Sequence, residues 1–299
     1  MAAAPGRAMD SFLLLYLFFF FFFSLETLTV LADEDVALFS HLQSSILKQG
    51  DSLTNNGSTL TLQIDCDLVL RDANNMIIWN SGSVARPVDC IFWINRYGVA
   101  VVSDSEGIPL WTTGSPAPRG SYALLLRPDG KLRIYGPSLW SFKSIANSSG
   151  SGGGGGGTVS DRRVASSSFD SSGYIMYSSD DFIYGPTGGA LLNKGNYTLV
   201  LENTCTLHIR GTSEAEAASS TEERRGLQST APTCKAQLSS DGELTAYRLL
   251  FPEQGGLQDV WLRTWGSDFT KKTAESIAAL VDSGSAGELL IYPMKQTMA

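Results

Sequence analysis

Ile77-Ile78-Trp79-Asn80-Ser81-Gly82, Pro109-Leu110-Trp111-Thr112-Thr113-Gly114 and Ser138-Leu139-Trp140-Ser141 each place a tryptophan ahead of small hydroxyl or amide residues. They recur about every 30 residues, a period that marks a unit able to bury its apolar face only against copies of itself. Before each tryptophan comes a turn-rich stretch, and around these lie short apolar segments at 59–63, 67–70, 99–102, 122–126 and 131–135. Partly alternating and bounded by Gly, Asn, Asp and Ser, they read as antiparallel strands joined by hairpins. The simplest arrangement is three small sheets around one core shared by Trp79, Trp111 and Trp140. A second block repeats the plan: 197–201 and 206–209 parallel the opening hairpin, and 243–247 and 288–292 the later strands. There Trp261 takes the matching tryptophan place, Leu227 stands in the slot of Trp79, and no tryptophan follows Tyr292.

The chain has 299 residues, 43% hydrophobic and 17% charged, with a net charge of -8. That composition speaks against a coiled coil or a disordered chain, and the acidic balance gives no electrostatic footprint for nucleic acid. The two histidines, His41 and His208, leave little for a histidine base or metal cluster. No cofactor or metal is expected. Arg7, the apolar run from Phe12 to Phe23 and the small residue Ala32 read as a secretory leader over 1–32. The run is short of the ~20 residues of a spanning helix, and no later segment reads as one. The glycines from Gly152 to Gly157 sit in a Gly/Ser-rich linker over 147–168, which separates domains at 33–146 and 169–299. The acidic stretch 211–232 reads as a solvated loop.

Four cysteines in a secreted chain suggest two disulfides. Cys66 and Cys205 occupy parallel places after the opening strand of each block, and each is followed one repeat later by Cys90 and Cys234. The repeat therefore pairs Cys66 with Cys90 and Cys205 with Cys234. Sequons at Asn56, Asn147 and Asn196 are glycan acceptors in such a protein. Catalytic patterns fare worse. The glycine run lacks a preceding strand and a following Gly-Lys-Ser/Thr, and no Gly-x-Ser-x-Gly elbow exists. Asp65 and Asp67, two apart on one strand face, leave no room for a sugar bond between two acids. Arg162-Arg163 and Arg224-Arg225 read as proteolytic sites in loops.

These features resemble the bulb-type mannose-binding lectins of monocot plants, a family also found in receptor-kinase ectodomains and embryogenic-culture glycoproteins. The resemblance covers about Ile46 to Trp140 and, less closely, Phe182 to Tyr292. It rests on the tryptophan period, the cysteine in the first motif and the closing Asp129-Gly130-Lys131-Leu132-Arg133-Ile134-Tyr135-Gly136. It implies an all-β tandem β-prism, with three antiparallel sheets in pseudo-threefold array per domain and a QxDxNxVxY sugar motif on each sheet. The first motif aligns as Gln63, Asp65, Asp67, Val69 and Arg71. The second, Ile94, Arg96, Gly98, Ala100 and Val102, has lost every family polar contact. The third aligns as Arg127, Asp129, Lys131, Arg133 and Tyr135. In the second block the first motif reads Glu202, Thr204, Thr206, His208 and Arg210, and Asp241 with Tyr247 is the best surviving pair.

No motif is complete, so the function implied is a secreted, non-enzymatic lectin-like glycoprotein of the extracellular space or cell wall. Its binding of mannose-containing glycans would be weak, carried by Gln63, Asp65, Asp67 and Val69, by Asp129 and Tyr135, or by Asp241 and Tyr247. The alternative is a pseudo-lectin for protein or wall contacts. A homo-oligomer stays open. Members of the family assemble by exchanging terminal strands, but a chain ending at Ala299 without a third-repeat tryptophan makes that analogy a poor guide.

Overall fold

The computed structural model describes residues 35–84, 89–144, 173–178, 180–184, 188–211, 232–251, 260–267 and 273–298. The leader, the linker, Asn147, Leu227 and most of the acidic loop lie outside them. No helix occurs among the described residues. The first half carries β1 (Ala37–Phe39), β2 (Leu47–Lys48), β3 (Ser52–Asn55), β4 (Ser58–Leu62), β5 (Leu68–Arg71), β6 (Ile77–Asn80), β7 (Cys90–Ile94), β8 (Ala100–Asp104), β9 (Pro109–Thr112), β10 (Ala123–Leu126), β11 (Leu132–Tyr135) and β12 (Trp140–Lys143). The second carries β13 (Ile175–Tyr177), β14 (Asp181–Tyr184), β15 (Gly189–Lys194), β16 (Tyr197–Leu201), β17 (Leu207–Gly211), β18 (Cys234–Leu238), β19 (Leu244–Phe251), β20 (Val260–Gly266), β21 (Ser276–Asp282) and β22 (Gly287–Thr297).

Local chemistry explains the hairpins. Asn56-Gly57 joins β3 to β4 with φ of 47° and 81°, the doubly left-handed turn that matches strand twist and that Asn-Gly favours. β4, β7 and β18 alternate buried with half-buried residues, the period of a strand with one face in a core. Each half therefore has an antiparallel sheet β3-β4-β5-β6 or β15-β16-β17, and another β2-β7-β8-β9 or β14-β18-β19-β20.

The third sheets are joined. β22 runs eleven residues. Its first part pairs with β21 and with β12, Trp140 facing Ile291 and Lys143 facing Glu288. Its last part pairs with β11, Arg133 facing Thr297 and Tyr135 facing Met294. Each half thus hands its final strand to the other, in one seven-stranded sheet.

The exchange redistributes the aromatic core. Trp79 and Trp111 meet edge to face at 5.6 Å and pack with Met298 against the first core. Trp140 packs instead in the second core, stacked on Phe142 at 6.1 Å and edge-on to Trp265 at 5.9 Å. Two expectations are corrected here. Trp140 does not share a core with Trp79 and Trp111, and Trp265 rather than Trp261 is the second-half core tryptophan. Within the one chain, terminal strands are exchanged between the halves, β12 to the second and the end of β22 to the first, and Met298 beyond β22 packs against the first core. A third core of Phe39, Tyr135, Tyr174, Tyr177, Tyr292 and smaller residues lies between the joined sheets.

Candidate functional site

The first-motif residues sit on and beside the β4–β5 hairpin, whose outer face is set by Thr59 opposite Arg71 and Thr61 opposite Val69. Asp67 is buried, and its carboxylate accepts from Ser81 Oγ (2.9 Å), Gly82 N (2.8 Å) and Asn80 Nδ2 (3.2 Å). It therefore serves as an internal anchor that folds the end of β6 back against the hairpin. Ser83 Oγ, donating to Cys66 O at 2.6 Å, ties the same stretch to the disulfide turn. Val69 retains 2% of its surface. Arg71 Nη1 donates to Asn75 O at 3.2 Å across its own turn. Asp65 Oδ1 accepts from Asp67 N at 3.1 Å, while Asp65 Oδ2 and the Gln63 side chain make no hydrogen bond among the described residues. Both residues are half-exposed. Gln63 and Asp65 are thus the polar pair that this motif leaves facing outward.

Around the third motif the arrangement is different. Tyr135 is fully buried between the halves, and burial pushes its hydroxyl well above the usual tyrosine value despite the opposing pull of Arg127. Its hydroxyl meets Glu275 of the second half, and Glu275 also pairs with Arg127 and Arg133. The Arg127 guanidinium lies 4.4 Å from the centroid of the Tyr177 ring. Burial alone would ease a proton off Arg127, but Tyr135, Glu275 and Tyr177 outweigh it and hold the guanidinium more firmly charged. Asp129 stays at the surface, near Lys131 Nζ at 3.8 Å and Arg133 Nη2 at 3.5 Å. Sequence reasoning missed Glu275 and Tyr177. The signal was the pair of arginines at motif positions, two charges that need a carboxylate nearby.

In the second half Tyr292, the counterpart of Tyr135, is also fully buried, and burial raises its hydroxyl far above the ordinary range. Asp241 accepts from Ser239 Oγ. Tyr247 faces Lys235 across β18–β19, and no hydrogen bond joins Asp241 to Tyr247 among the described residues. The first-motif slot there forms a polar ladder: Arg210 donates to Glu202 at 2.5 Å, His208 Nε2 lies 3.2 Å from Thr206 Oγ1, and Thr204 and Thr206 share a hydrogen bond of 2.7 Å.

Both disulfides form as the repeat pairs them, Cys66–Cys90 and Cys205–Cys234. Cys66 and Cys205 both adopt left-handed backbone, φ 67° and 60°, at matching turns. Asn56 donates its side-chain amide to Pro128 O at 3.1 Å, and Asn196 sits exposed in the β15–β16 turn. No group of three or more His, Cys, Asp or Glu placed to hold a metal occurs among the described residues.

No family model matches the chain. Mannose-specific lectin 2 of Colocasia esculenta is 25% identical over 250 residues, covering 82% of this chain and 80% of that protein. Mannose-specific lectin 1 of Remusatia vivipara is 24% identical over 247 residues, covering 81% of this chain and 80% of that protein. The solved structure of the fetuin-binding Scilla campanulata agglutinin, described as a two-domain lectin, superposes with a TM-score of 0.56 at 21% identity, over 88% of this chain and 100% of that one. That likeness is one of fold. With relatives aligned through both of its halves and a shared tandem β-prism architecture, the protein is a homologue of the monocot mannose-specific bulb-type lectins.

Proposed function

We propose that the protein is a secreted, non-catalytic lectin-like glycoprotein of the extracellular space or cell wall that binds mannose-type glycans weakly. The reading divides the chain into a leader over 1–32, domains over 33–146 and 169–299, and a linker over 147–168. What carries it is similarity to proteins named as mannose-specific lectins, running through both halves. Gln63 and Asp65 are the binding residues it favours, as the motif pair that keeps outward-facing polar atoms. Two or three solvent-exposed hydrogen bonds of about 1 kcal/mol each, with little apolar contact, correspond to a Kd of roughly 5–30 mM.

A second reading, a pseudo-lectin that makes protein or wall contacts, draws support from the internal use of Asp67 and Tyr135. A glycan array on the secreted protein, with mannose competition, separates the two. Mannoside binding that mannose competes away and that Asp65→Ala abolishes supports the lectin. Silence on every mannoside leaves the pseudo-lectin.

A further inference from the structure

Glu275 precedes β21 and belongs by sequence to the second half, yet its carboxylate is bound by residues of the first. Arg127 Nη1, Arg133 Nη1 and the Tyr135 hydroxyl all donate to it. Arg127 Nη1 lies 3.0 Å from the Tyr135 hydroxyl as well, and the Tyr177 ring supports the same guanidinium from the second half. The Nε atoms of both arginines are buried without a hydrogen-bond partner among the described residues, Arg127 Nε lying 3.8 Å from Asp129 Oδ1. The donors therefore outnumber what Glu275 alone consumes. The backbone beside Glu275 is fixed, since Met294 N donates to Glu275 O at 2.9 Å and Thr273 Oγ1 to Ser240 O at 2.5 Å. The side chain is thus delivered from an anchored segment.

The chemistry of the cradle selects its occupant. A guanidinium offers only donors, and two of them with a phenol make a site for an acceptor-only anion. Two such cations side by side are costly when partly buried unless a negative charge lies between them. A neutral hexose presents hydroxyls that must donate as well as accept and carries no charge to offset either arginine. A carboxylate meets both demands, and its charge-assisted hydrogen bonds to arginine are roughly twice as strong as those between neutral groups.

We propose that the third-motif slot of the first half is a carboxylate-binding site with Glu275 as its built-in occupant. The contact closes the slot against neutral sugar and latches the halves together. A small carboxylate, free or borne on a uronic acid, takes the same place once the Glu275 side chain is removed. This is independent of the sugar reading at Gln63 and Asp65.

The test is chemical rescue on the full chain. Thermal unfolding of the wild-type protein and of Glu275→Ala is followed in sodium acetate, sodium galacturonate, sodium chloride at matched ionic strength, and mannose. The variant is expected to melt below wild type in chloride. Acetate and galacturonate should then return at least half of the loss with saturation, mannose none, and the wild type should respond to acetate no more than to chloride. A variant melting like wild type, or acetate acting no better than chloride, overturns the proposal. If Glu275→Ala does not fold in chloride, Glu275→Ser, which vacates the slot as well, is refolded in each of the same salts. A higher refolding yield in acetate than in chloride then supports the site, and equal yields overturn it.

Discussion

Replacing Trp140 with alanine tests the strand exchange directly, because sequence and structure assign this residue to different cores. In the structure its indole lies against Phe142 and Trp265 and packs on the second core, to which β16, β19 and β21 contribute Leu199, Leu244 and Leu280. Full burial would make Trp→Ala cost about 3–5 kcal/mol. Trp140 is half-buried, so about 2 kcal/mol of that applies, and its two ring pairs add about 1 kcal/mol. A total near 3 kcal/mol corresponds to a Tm lower by about 6–12 °C for a chain of this size. It also speeds amide exchange roughly a hundredfold where the loss is local. The location is the decisive readout. Hydrogen exchange followed by mass spectrometry should show protection lost in β16, β19 and β21, with β4, β5 and β8 close to wild type. Faster exchange in β4, β5 and β8, with the second half unaffected, would mean that Trp140 completes its own half and that the exchange is wrong.

The other predictions are simpler. Asp67→Ala strands the Gly82 amide and the Ser81 and Asn80 side chains; it should cost about 2 kcal/mol, seen as a lower urea midpoint at unchanged slope. Removing the second disulfide with Cys205→Ser and Cys234→Ser together opens a loop of 29 residues and should cost about 3–4 kcal/mol in the same measurement. His41 has both ring nitrogens buried with no hydrogen-bond partner among the described residues, and burial lowers its pKa from 6.5, assisted by Arg96 and Lys143 and opposed by Glu288. The unfolded chain therefore takes up a proton that the native chain resists, so this contribution is complete above about pH 6.5 and fades as pH falls from there toward the lowered native value. The Tm drop between pH 7 and pH 5 should shrink in His41→Leu; an unchanged drop would rule His41 out as its source.

Much of the architecture was legible because it rests on local chemistry. The Asn56-Gly57 turn, the alternation in β4 and β7, and the parallel placement of Cys66 and Cys205 each signal their structure within a few residues. What escaped was the destination of the last strand. Trp140 and Met298 lie at equivalent ends of the two blocks, and nothing within either segment says which core receives it; pairing across the whole chain decides. The third motif was misleading for the same reason. Asp129 and Tyr135 read together as sugar ligands, but Asp129 stays at the surface while Tyr135 is buried against the other half, and Glu275 comes to it from 140 residues beyond Tyr135. Asp67 shows the opposite limit: its residue type fits a binding site, and its internal donors at positions 80–82 show only in three dimensions.

The shared strand also sets an order of assembly during synthesis. β11 emerges from the ribosome well before β22, separated by roughly 150 residues, and at typical elongation rates it waits roughly ten to thirty seconds for its neighbour. During that interval the first half holds its disulfide loop and two of its tryptophans but presents an unpaired β11 edge. On a crowded message, the β22 of an adjacent nascent copy competes for that edge, and its capture would produce interlocked dimers rather than single chains.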